Sequence, residues 1–109
     1  SERQQKFYGT LEALTKTLGA DMFHVFGGRM TDSHQRYIEN LKPTVKDAWP
    51  VFVGKVAGLT VLANGAMEKN KLVNQYLNEG MDRIEANEKA FKEVPLDKIM
   101  KRVKRERAT

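Results

Sequence analysis

Apolar residues recur at spacings of three and four along almost the whole chain, and this rhythm constrains the fold more than any other feature of the sequence. Phe7, Leu11, Leu14 and Leu18 form one such run; Tyr37, Ile38, Leu41 and Val45 form another. Val73, Leu77, Ile84, Phe91 and Val94 make a third, and Leu96, Ile99, Met100 and Val103 a fourth. Side chains three or four apart share one face of an α-helix, whereas a strand would need alternation. The pattern predicts an all-α chain, a small bundle or helical hairpin of three to five helices that ends in a basic C-terminal helix or arm.

Glycine and proline set the expected boundaries. The first stripe reaches Gly19 and, through Met22, Val25 and Phe26, extends to Gly27-Gly28, where a glycine pair inside a helix would cost roughly 2 kcal/mol against alanine. Thr31, Asp32 and Ser33 are consecutive candidate N-caps for the next helix. Pro43 and Pro50 lack an N–H and crowd the preceding turn. They predict turns of helix over 32–41, 43–48 and 50–63, with each proline near a helix start. Residues 51–63 read two ways. Their β-branched residues and Gly54-Lys55 allow an α+β alternative with a short hairpin at 51–62. Phe52, Val56, Leu59 and Ala63 continue a helical stripe, and Asn64-Gly65 would stop it. A long helix is expected over 68–94, with Gly80 and Asn87 on its seam and three Glu-to-Lys/Arg pairs four residues apart along it (79/83, 85/89 and 88/92). Pro95 closes this helix. A chain of 109 residues holds one core. The expected division is a helical core over 1–96 and a basic arm over 97–109.

Little in the sequence supports catalysis. With no cysteine, the chain lacks disulfides, thiolate metal ligands and thiol nucleophiles. His24 and His34 have no metal-ligand spacing, and no triad, elbow or carboxylate pair is legible. The chain is expected not to be an enzyme and to carry no metal or cofactor. Gly27-Gly28-Arg29 resembles a phosphate cradle only in composition; it lacks the spacing of a nucleotide loop and reads as a turn. No secretory signal is legible at the N-terminus. Trp49 to Met67 is the most apolar stretch, but Lys55 and Asn64 interrupt it before about 18 apolar residues accumulate, so no clear transmembrane segment is expected. The expected location is cytoplasmic or virion-associated.

Charge is the feature that points to a partner. Lys and Arg number 19 against 14 Asp and Glu, a net charge of +5. Lys98, Lys101, Arg102, Lys104, Arg105 and Arg107 all fall within the last thirteen residues, opposed there by Asp97 and Glu106. This density predicts contact with a polyanion, nucleic acid or an acidic partner protein. Helix packing or oligomer contact is expected from Phe7, Leu11, Leu14, Leu18, Trp49, Val73, Leu77, Ile84 and Phe91, with Gly54 and Gly58 allowing a close helix approach. The function these features predict is a non-enzymatic structural or interaction protein, self-associating or bound to a protein partner, of the kind found in virions, nucleoids or other multisubunit assemblies. A nucleic-acid-binding regulator is one alternative. A peripheral membrane protein using Leu96, Ile99, Met100 and Val103 is another. No small-molecule substrate is inferred.

Overall fold

The computed structural model describes residues 2–26 and 29–108, with only the helical backbone given for Thr15, residues 18–24 and Ala108. Every regular element among them is helical: α1 (Glu2–Phe26), α2 (Asp32–Asn40), α3 (Trp49–Asn78), α4 (Arg83–Glu93) and α5 (Leu96–Ala108). The molecule is a rod, 54 × 22 × 22 Å.

The 30 residues of α3 are its spine. At about 1.5 Å per residue this helix is roughly 45 Å long. The other elements lie against it. α1 runs parallel to α3, because Tyr8 packs on Phe52 near both N-termini while Val25 and Phe26 reach the level of Lys69 and Val73. α4 and α5 return antiparallel to α3. Tyr76 donates a hydrogen bond to the Glu93 carboxylate, Ile99 covers Gly65, Val103 covers Gly58, and the Arg107 carbonyl lies over Gly54. α2 runs beside α5 and joins the same core.

Local chemistry explains most of the boundaries. Thr31 caps α2 by accepting from the His34 N–H, and the His34 ring accepts from the Thr31 N–H, a capping box closed by an imidazole. Pro43 is buried, and residues 44–47 form a turn rather than the expected helical restart at 43–48. In that turn Asp47 accepts from the Thr44 N–H at 2.9 Å and pairs with Lys55 on α3 at 3.0 Å. Pro50 occupies the first turn of α3, where its missing donor costs nothing.

Two boundaries differ from the sequence reading. First, α3 runs through Asn64-Gly65. A Cβ on Gly65 would lie 2.8–2.9 Å from three Ile99 side-chain atoms, so this glycine admits α5 and does not end a helix. The hairpin alternative at 51–62 falls with it, because residues 49–78 are continuous helix. Second, the expected helix over 68–94 is broken at 79–82. The Met81 N–H bonds to the Tyr76 carbonyl and the Gly80 N–H to the Leu77 carbonyl, with Gly80 at φ +98°. These are the paired bonds of a Schellman ending, which a glycine at that φ makes inexpensive. Asp82 then caps α4 by accepting from the Glu85 N–H at 2.9 Å. Glu79 therefore lies in the break and Arg83 opens α4, so the two do not share a helix as an i,i+4 pair.

The main core is made by Phe26, Ile38, Leu41, Leu59, Leu62, Ala66, Val94, Leu96, Ile99, Met100 and Val103. A smaller cluster of Val73, Tyr76, Ala86 and Ala90 joins α3 to α4. Here the small Ala86 and Ala90 let α4 approach, and Lys89 Nζ lies 4.4 Å from the centre of the Tyr76 ring. The hydrogen bond to Glu93 favours the protonated phenol and pushes Tyr76 up to about 12.

α5, which holds the cations of 97–109, also contributes four residues to the main core. Among the residues expected to pack, Val73 and Gly58 are buried, and Leu11, Gly54, Leu77 and Phe91 are partly so. The atoms nearest a Cβ at Gly54 and Gly58 belong to Arg107, Leu41 and Val103, rather than to Trp49 or Phe52. Phe7, Leu14, Trp49 and Ile84 are exposed. The side chains of Leu18 and His24, and the turn at Gly27-Gly28, lie outside the described residues.

Candidate polyanion interface

The C-terminal cations are mounted on a packed helix. Leu96, Ile99, Met100 and Val103 stand at spacings of three, one and three, and together they place one side of α5 in the core. The remaining positions point outward by necessity. Lys98, Lys101, Arg102, Lys104 and Arg105 are exposed and Arg107 is partly buried.

Lys98, Lys101 and Arg105, spaced by three and four, form a row along the outer side. The flanks of that row are held by neighbours. On the α3 side Arg102 reaches Glu68 at 3.7 Å. On the α2 side Lys104 Nζ lies 5.1 Å and the Arg107 guanidinium 5.8 Å from the centre of the Tyr37 ring, within cation–π range. Because Nδ1 of His34 accepts the Thr31 N–H, its Nε2–H donates to Asp97 Oδ1 at 3.1 Å, tying α2 to the first turn of α5. Tyr37 and His34, which the sequence reading did not assign to this region, reach it from α2. Neither could be found there by periodicity, since the approach of α2 to α5 is a tertiary contact.

The apolar residues that a membrane-surface reading of α5 requires are buried between α3 and α2. α3 is the one described helix long and apolar enough to cross a bilayer, by length and composition, although Lys55 and Asn64 argue against this in the sequence; 33% of its apolar window is buried in the fold. No group of three or more metal-ligating side chains occurs among the described residues. No protein-family model, curated protein or solved structure matches the chain.

Proposed function

We propose that this chain is a non-enzymatic interaction module that holds a polyanion, most directly nucleic acid, on the outer side of α5 and associates with further copies through its apolar surface. One observation carries the reading. α5 spends its apolar side on the core and presents Lys98, Lys101, Arg102, Lys104 and Arg105 to solvent on a rigid element. A flexible tail would lose the entropy of ordering on contact; cations already fixed on a helix lose less. Such a row tracks phosphates without reading bases, so binding is salt-dependent and indifferent to sequence. This fits a structural component of a nucleoid or virion better than a regulator, which would need a helix offering Arg, Asn or Gln to base edges.

Self-association is supported by Phe7 and Trp49, each 51% exposed, which touch at 6.3 Å between ring centres, with the exposed Val53 one turn beyond Trp49. Contiguous apolar surface of this kind marks association sites.

The test is fluorescence anisotropy of a labelled DNA duplex over a salt series. The double variant Lys98→Gln/Lys101→Gln is expected to reduce the slope of log K against log salt by roughly two units, with its thermal melt unchanged. A double variant on the exposed side of α1, Lys6→Gln/Lys16→Gln, is expected to leave the slope alone. Equal slopes for the parent chain and the α5 variant would overturn the proposal.

A further inference from the structure

Lys69, in the last third of α3, is a buried cation with no acid beside it among the described residues. It is 5% exposed, and none of the described carboxylates lies within ion-pair distance of it. Its polar contact is a long 3.5 Å approach to Asn70 Oδ1, its own neighbour in the chain. Otherwise its Nζ rests 4.5 Å from the centre of the Phe91 ring, and the Arg29 guanidinium lies 4.8 Å from that same centre.

Two cations thus converge on one aromatic ring with no anion described between them. Burial, and then the Arg29 charge, hold the Lys69 ammonium below its ordinary range. An unpaired buried charge opposes folding, as does a like charge beside it, and an arrangement of both is relieved when an anion binds.

The place for such an anion is present. Lys69 and Arg29 line a cleft of about 800 Å³ between the C-terminal end of α1, the last third of α3 and α4. Arg83 adds a third cation from α4, and the amides of Asn70, Asn74 and Asn87 add neutral donors and acceptors. Glu88 is the one carboxylate among the described lining residues. Val25, Phe26 and Val73 supply an apolar wall. Converging charged donors, amides and an apolar wall in a volume of this size are the makings of a small-molecule site.

We propose that this cleft binds a small phosphomonoester, its phosphate seated between Lys69 and Arg29 with Arg83 completing the charge. A dianion matches two converging cations better than a single carboxylate does, and its three terminal oxygens accept from ammonium, guanidinium and amide together. The volume exceeds the needs of a bare phosphate, and the apolar wall suits an organic substituent. This site is separate from the outer side of α5, whose cations are solvated and need no ligand to offset burial.

The experiment is calorimetric titration of the full chain at fixed ionic strength with inorganic phosphate, phenyl phosphate and succinate. Phenyl phosphate is expected to bind most tightly, inorganic phosphate next and succinate least. Lys69→Met and Arg29→Gln should each weaken phenyl phosphate roughly ten- to hundredfold, the loss of one hydrogen bond to a charged group. Lys69→Met keeps the volume and removes the buried charge, so its ligand-free melting temperature should equal or exceed that of the parent; Arg29→Gln, at an exposed position, gives a second reading with little risk to folding. Lys101→Gln on α5 should leave the affinity unchanged. The proposal is overturned if succinate matches phenyl phosphate, if either variant binds as the parent does, or if no heat above that of sodium chloride is seen.

Discussion

Removing residues 96–109 tests whether α5 is an arm or a wall of the core. Leu96, Ile99, Met100 and Val103 are each less than one-tenth exposed, and Ile99 and Val103 are essentially inaccessible. Burial of a large aliphatic side chain contributes about 1.5–3 kcal/mol, so these four together contribute roughly 6–12 kcal/mol. That is an upper figure, since the unfolded chain already hides some of this surface, yet it rivals the whole stability of a small domain, about 5–15 kcal/mol. The deletion also uncovers Gly58 and Gly65 on α3 and the Leu41 side chain that packs against Gly58. The shortened chain is therefore expected to lose its cooperative transition in urea, followed by circular dichroism at 222 nm. The single change Ile99→Ala should lower the unfolding free energy of the full chain by about 2–5 kcal/mol, because Gly65 has no side chain to fill the space left behind. A chain of residues 1–95 that melts cooperatively within about 1 kcal/mol of the parent would refute this reasoning and restore the arm as a separable part.

Two further outcomes follow from the loop and the helix ending. Burial raises the Asp47 carboxyl, but the Thr44 N–H and the Lys55 ammonium outweigh it and leave the group below its ordinary value of 3.8. Its contribution is thus complete above the unfolded value and lost as pH falls through the lower folded one. Asp47→Asn should flatten the stability profile below about pH 4, and Asp47→Ala should cost about 1–3 kcal/mol at pH 7, both measured by urea melts. Gly80 has φ +98° and open space where a Cβ would go, so Gly80→Ala should cost about 1–2 kcal/mol through backbone conformation alone. An unchanged melt would show that the α3–α4 turn adopts another geometry.

Helix type was legible because local spacing determines it: the runs at Phe7 and Leu96 are helical throughout, and those at Tyr37 and Val73 are helical except at Leu41, Val45 and Val94, which lie outside α2 and α4. Helix ends were legible only where their cause is local. Thr31, Pro95 and the extension of α1 to Phe26 behave as their neighbours suggest. Gly65 and Gly80 do not, although each follows a polar residue in a helical pattern and both look alike in the sequence. One is enclosed by Ile99 and the other sits in a left-handed turn, a difference set by residues thirty or more positions away in one case and by the ends of the hairpin in the other. Intrinsic propensity is a weak prior that packing overrides.

The same distinction separates the two candidate sites. Cations on α5 could be found from sequence because they cluster within thirteen residues, and a cluster survives any reasonable packing of an amphipathic helix. Lys69 lies between Glu68 and Asn70 in a polar stretch, where nothing marks it for burial. It is buried where the end of α1 and Phe91 of α4 both meet the last third of α3. Arg29, 40 positions earlier, meets it only through that geometry. A site built from one cation on each of several elements leaves no pattern in the chain. Its signature is the physical conflict it creates in the folded state, here two like charges against one ring with no acid between them among the described residues.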